Sequence, residues 1–395
     1  MRIERNCAEI IWDRSSNSAR LILDHLIRDR SRFHSNVPSG PNESKGTKSV
    51  CREERRLCKM KRRVLFFILT LILSGLLFPR LTPAKPIVWR LQTYGTGKAY
   101  SVNLAHLFKD TVEKRSQGRL QIDLFEAGVL GFSGTELGQV VGRNLVQGAQ
   151  TMAALLGTEQ PAWGASSLPF IFSKFDPEFN QIGPRLAVEE GEAIFQEMAK
   201  KMNLHYFNGY HMVDELECNK KVAAVQDWRG LKLRSWSPLI AQMGKALGST
   251  NVTIPVAEMY TSFATRVIDA NVGDATSLVD NKRYEVVKYL CSWPAVAAHF
   301  IYIINEAEWR ALDKDLQSIV TQALRENSRE GYEYYWVKNW EKRQEAKKFG
   351  VEIVKVSPEE IKKVRNIMKK EVWEPWIAGA GEYGRKLYDI ILKYE

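Results

Sequence analysis

Arg234 closes a short segment in which Leu231 and Leu233 alternate with Lys232 and Arg234, the period-two pattern of a half-buried strand. Ser237 then has the type of an N-cap and Pro238 suits a first helical position. Leu239, Ile240, Met243 and Leu247 form an apolar stripe that Gly248 ends. A strand running into a helix is where an open α/β sheet collects ligands, because free amide groups and partial positive charge gather there. A guanidinium at that point can hold a carboxylate through two parallel hydrogen bonds. The competing reading is a strand-end arginine that is solvated or paired with a local acid.

The elements that must position Arg234 extend on both sides of it. Ile87, Trp89, Leu91 and Thr93 alternate with polar or smaller neighbours and predict a strand that ends at Tyr94 and Gly95. A helix carrying Tyr100, Leu104, Leu107, Phe108 and Val112 follows, then a strand with Leu120, Ile122 and Leu124 on one side. Ser133 and Glu136 have capping-box spacing before another helix, and Gly148–Leu156 predicts a third strand. The β-α-β-α-β order is that of a parallel sheet. After Arg234, strands are expected over Val252–Val256, near Val267–Asn271 and over Ala298–Asn305. Asp313 is placed to cap a helix reaching Gly350, roughly 50 Å long at 1.5 Å per residue. The tyrosines and tryptophans at 332, 334, 335, 336 and 340 have helical spacing and read as packing rather than base stacking.

Charge narrows the function classes. The chain of 395 residues carries +11, but the first 84 residues hold 17 basic and 8 acidic side chains and so account for +9, leaving +2. The basic excess therefore belongs to a leader, and nucleic-acid binding loses its main support. From Met60 onward, Lys61, Arg62 and Arg63 precede the apolar run Val64–Phe78, with Thr82, Pro83 and Ala84 as a processing site. This is the layout of a secretory signal peptide, an uncleaved anchor being the alternative. Met60 is expected to be the true start and 1–59 an upstream extension, against the alternative of a disordered translated tail. Cys218 and Cys291 have neither CxxC nor zinc-site spacing, though export would permit a disulfide between them. A mature chain of this size defaults to two domains.

Some apparent motifs dissolve. The loop Gly95–Ser101 looks like a phosphate cradle, but the position five residues before its Gly-Lys pair is Gln92, not glycine. No GxSxG, HExxH or coherent Cys–His arrangement supports a secreted hydrolase. No metal or cofactor is expected.

The ordered series RGLKLR, SPL, KALGSTNVTIPVAEMYTSF, VIDAN and YEVVKYL resembles the DctP-type solute-binding proteins of tripartite ATP-independent periplasmic (TRAP) transporters, from about Ile87 to the C-terminus. The resemblance implies a two-lobed α/β periplasmic binding protein fold: two parallel-sheet domains joined by hinge strands and braced by the long C-terminal helix. It places 85–209 and 298–340 in one domain and 210–297 and 341–395 in the other, with chain crossings near Leu204–Met212 and Ala298–Asn305. Residues 60–84 are the signal peptide, and the mature protein is periplasmic. The expected partners are a small organic acid and membrane permease subunits, with no nucleic acid.

Arg234 is the expected carboxylate clamp, with Trp236 and Tyr94 as walls. Phe170, in a segment resembling the family's LPF stretch, is expected at the cleft or in the core. Many relatives carry a second arginine on the crossover strand, and here Asp214 and Glu215 stand in its place. Acids there oppose a dicarboxylate or a sialic acid. They favour a monocarboxylate such as a 2-hydroxy, 2-oxo or aromatic acid, unless they simply face solvent. Where relatives have Asn-Pro after the VIDAN block, this chain has Val272–Thr276, so Asp274 and Thr276 are candidates to bond a hydroxyl or keto group. A ligand-sensing domain for a receptor is the alternative function, a hydrolase a weaker one.

Overall fold

The computed structural model describes residues 58–66, 85–172 and 182–395. The chain divides into two units, Met1–Thr82 and Pro83–Glu395. Of the first, residues 58–66 are helical. The rest of the expected upstream extension and signal peptide lies outside the described residues. Among the described residues no helix is long and apolar enough to cross a membrane.

The second unit is built on one nine-stranded sheet. Its first parallel block comprises β1 (Ile87–Gln92), β2 (Leu120–Phe125) and β3 (Gly148–Met152), with β1 paired in parallel to both others. Trp89, Leu91, Leu120 and Ile122 turn inward and meet Phe108 and Val112 of α1 (Tyr100–Arg115) in a common core. These are the alternations and stripes the sequence predicts. Beyond β3, the chain turns into 3-10 structure at Ala153, so the third strand is shorter than the expected Gly148–Leu156. The capping box forms as expected, with the Ser133 amide donating to Glu136 Oε2 at 2.8 Å ahead of α2 (Leu137–Gly142).

After α3 (Ile182–Lys201) come two further pieces of sheet. β5 (Lys232–Arg234) pairs in parallel with β6 (Thr250–Val252) and β7 (Ala270–Gly273). The two parallel blocks are joined by β4 (Leu204–Cys218) and β8 (Tyr289–Asn305), which pair antiparallel along most of their lengths. The resulting order is β2-β1-β3-β8-β4-β7-β5-β6, with β9 (Glu352–Val354) beside β8. This is the two-lobed α/β arrangement: two parallel sheets and a pair of long strands shared between them. β8 is buried on both faces and accordingly reads as a continuous apolar run rather than an alternation. A register shift between Asn208 and His211 marks the middle of the crossing. Gly209 is needed there, because a Cβ at this position would collide with the Phe300 carbonyl oxygen.

The long helix is α8 (Lys314–Lys348), 35 residues capped by Asp313, which accepts from the Leu316 amide at 2.8 Å. It runs along the shared strands, and Gly331 lets it settle on Tyr210 of β4: a Cβ at 331 would lie 2.5 Å from the tyrosine ring. Tyr332 and Tyr335 are buried beneath it while Trp340 is largely exposed, so the aromatic stripe is only partly packing. Cys218 and Cys291 are buried free thiols, and burial pushes them up to about 11 and about 12, so the permitted disulfide is absent.

Candidate functional site

Between the two parallel blocks lies a cleft of about 240 Å³. Its first wall carries Tyr94 from the end of β1, Met152 and Phe300, with Tyr335 contributed by α8. Its second carries Met212 and Asp214 of β4, Arg234 and Trp236 from the β5 end, Asn271 and Gly273 of β7, then Asp274 and Arg283. A neighbouring chamber of about 370 Å³ shares Tyr94, Arg234 and Trp236 with it.

Arg234 is at the carboxyl end of β5, 4% exposed. Its position follows from the local sequence: the strand stops there because Ser237 starts α4 (Pro238–Ala246), its hydroxyl accepting from the Ile240 amide at 3.4 Å. The Arg234 guanidinium gives Nε to the Ile254 carbonyl at 3.1 Å and Nη1 to Asn271 Oδ1 at 3.2 Å. Both acceptors are neutral. Among the described residues no carboxylate lies within 4.0 Å of it. Trp236 is fixed as a flat wall by the bond from its Nε1 to the Val272 carbonyl at 3.2 Å, and on the opposite wall Tyr94 stands edge-on to Phe300.

Asp214 is 2% exposed and its Oδ1 has no hydrogen-bond partner among the described residues. Burial pushes its carboxyl well above the ordinary range, Asp274 and Glu217 add to this, and Arg234 and Arg283 oppose it. Asp274 caps the short helix α6 (Ala275–Asp280): its Oδ1 accepts from the Ser277 amide at 3.0 Å and from the Thr276 hydroxyl. Its Oδ2 is buried and has no hydrogen-bond partner among the described residues.

Three expected residues are elsewhere. Phe170 is in the core, edge-on to Trp228 and Trp293 with ring centroids 6.4 and 6.0 Å away; its aromatic ring is worth more as packing than as a cleft wall. Glu215 points to α8 and is held by both carboxylate oxygens on Arg343 Nη1. Thr276 turns back onto Asp274 and is itself 1% exposed. Conversely, Asn271, Tyr335 and Arg283 line the cleft, although the sequence reads Tyr335 as packing and gives the other two no role. Asn271 closes the VIDAN block, which is a usable signal. Arg283 has none: it follows Lys282, whose φ is +54°, and reaches the cleft only because Glu217 holds it at 2.9 and 2.5 Å. Burial pushes Glu217 up while the bidentate guanidinium pulls it back, so Arg283, unlike Arg234, already has a paired carboxylate.

The family model described as "DctP: Bacterial extracellular solute-binding protein, family 7" matches residues 95–377. The chain belongs to this family, the solute-binding components of TRAP transporters. Among curated relatives, the 2,3-diketo-L-gulonate-binding periplasmic protein YiaO of Escherichia coli is 26% identical over 238 residues, 59% of this chain and 70% of YiaO. The sialic acid-binding periplasmic protein SiaP of Vibrio cholerae is 25% identical over 226 residues, 56% of this chain and 68% of SiaP. Among solved structures, DctP7 of Bordetella pertussis, an extracytoplasmic solute receptor binding pyroglutamic acid, superposes with a TM-score of 0.71 at 22% identity over 77% of this chain and 99% of DctP7. The DctP family consists of receptors for solutes rather than enzymes. Among the described residues no group of three or more His, Cys, Asp or Glu is placed to hold a metal ion.

Proposed function

We propose that this protein captures an organic acid with one carboxylate in the cleft between its lobes and delivers it, in the periplasm, to the membrane permease subunits of a TRAP-type transporter. The observation that carries this reading is Arg234: a buried cation at a strand end, facing the cleft, bonded among the described residues only to neutral oxygens. A buried cation without a counter-ion is costly, and a ligand carboxylate supplies the missing charge. Asp214 and Asp274 on the same wall repel a second carboxylate, which argues against a dicarboxylate. The relatives' printed ligands, diketogulonate, sialic acid and pyroglutamic acid, are acids and support the class. The two lobes, 85–209 with 298–340 and 210–297 with 341–395, would close about β4 and β8 near their register shift.

Mass spectrometry of the small molecule released on denaturing protein purified from its own cells tests the reading. An organic acid is expected, and a released compound without a carboxylate would overturn it. Deleting the gene is expected to abolish uptake of that acid; retained uptake would favour a sensing role instead.

A further inference from the structure

Resting on the organic-acid reading, the remaining polar groups of the cleft constrain the rest of the ligand. β4 and β7 pair antiparallel with Glu215 opposite Gly273. Asp214 precedes Glu215 on β4 and Asp274 directly follows Gly273 as the cap of α6, and the two carboxylates are near enough for the charge of Asp274 to act on Asp214. Both line the cleft, both are at most 2% exposed, and each keeps one buried oxygen, Asp214 Oδ1 and Asp274 Oδ2, with no partner among the described residues. Several neighbouring donors are committed elsewhere: Arg234 gives Nε to Ile254 and Nη1 to Asn271, Arg283 gives Nε and Nη2 to Glu217, Trp236 Nε1 goes to Val272, and Thr276 and Ser277 bond the other oxygen of Asp274. The wall therefore presents a cation at one point and two open acceptors beside it.

We infer that the cleft selects an acid that also carries a hydrogen-bond donor, an amino, lactam N–H or hydroxyl group, which sits on Asp214 and Asp274 while the carboxylate sits on Arg234. An acid whose other polar atoms only accept would set lone pair against lone pair in a buried site and leave both aspartates unsatisfied. Sites built to bond a donor reject analogues lacking it far more strongly than apolar pockets discriminate by size. A dicarboxylate fails twice, and a 2-oxo acid fails once. If instead Asp214 acted as the donor, acids with only acceptors would be tolerated.

Calorimetry on protein freed of co-purified compounds, with matched pairs, decides between these. The pairs are lactate and pyruvate, mandelate and phenylglyoxylate, and pyroglutamate and the lactone in which oxygen replaces its N–H. In every pair that binds, the donor-bearing member is expected to bind about a hundredfold more tightly. Asp214→Leu and Asp274→Asn, the second of which preserves the helix cap, are each expected to shrink that ratio tenfold or more. Equal affinity within a binding pair, or a ratio unchanged in both variants, overturns the inference and leaves the organic-acid reading standing. Should none of the pairs bind, the acid released on denaturation decides: one lacking any O–H or N–H donor at neutral pH also overturns it.

Discussion

Among the described residues three arginines are buried, Arg234, Arg283 and Arg343, and they divide into two kinds of region. Behind β4 and beside α6, Arg343 and Arg283 are each closed by a glutamate of β4, Glu215 and Glu217. In the cleft, Arg234 has only neutral oxygens, and its neighbours Asp214 and Asp274 keep open lone pairs. The same residue types thus make a finished scaffold in one place and an unfinished one a few residues away. The difference teaches where to look for a ligand: a satisfied buried ion pair is architecture, whereas an unsatisfied buried charge facing a cavity implies something that completes it.

The sharpest way to break this contrast is to open a closed pair. Glu217→Ala leaves Arg283 buried without its acid and is expected to destabilise the protein by about 3–5 kcal/mol, read as a fall in denaturant midpoint at unchanged slope; a near-neutral result would mean Arg283 finds another partner. Removing the open cation should do the opposite. Arg234→Ala is expected to weaken binding of the released acid by about 2–5 kcal/mol while the ligand-free protein melts close to wild type, since no ion pair is broken. Unchanged affinity by calorimetry would take Arg234 out of the site.

Between these lies the brace. Gly331→Ala drives a methyl into the Tyr210 ring, and overpacking of this kind costs about 1–3 kcal/mol. Thermal denaturation should show the loss, and a melting temperature equal to wild type would mean α8 can lift from β4. The smallest effect belongs to Asp214 in the absence of ligand. Its carboxyl is raised by burial, then by Asp274 and Glu217, against Arg234 and Arg283, so the folded state holds its proton more tightly than the unfolded chain does. That contribution to stability is complete below the ordinary carboxylate range and is lost as pH rises toward the native value. Asp214→Asn is expected to flatten this part of the stability–pH curve and to stabilise the ligand-free protein at neutral pH by on the order of 1 kcal/mol. A curve superimposable on wild type would show that Asp214 is already satisfied.

Much of the scaffold could be read from the chain because its causes are local. The alternation in β1, the stripe of α1, the caps Ser237 and Asp313, and the strand end at Arg234 each depend on residues within a few positions of one another. Reading was weaker on β4 beyond Met212. Asp214 and Glu215 read alike, as acids facing the ligand or else solvent, and Glu217 carries no signal, yet all three are buried and only Asp214 lines the cleft. Glu215 could be buried only because Arg343, 128 residues away, meets it, and Glu217 because of Arg283, 66 residues away. For Phe170 the sequence leaves cleft and core open, and the choice of core rests on Trp228 and Trp293, which come from distant segments.

The sequence by itself determined the order of the elements, their ends, and a guanidinium delivered to the end of a strand, because hydrophobic period, capping and turn chemistry act over a turn or two of chain. Tertiary structure decided which charges cancel and which remain open. Two adjacent acids, Asp214 and Glu215, have opposite fates only because folding brings an arginine of α8 to Glu215 and places Asp214 on the wall of the cleft. No local rule encodes that choice, since the energy of a buried charge is set by whatever the rest of the fold places within a few ångströms of it.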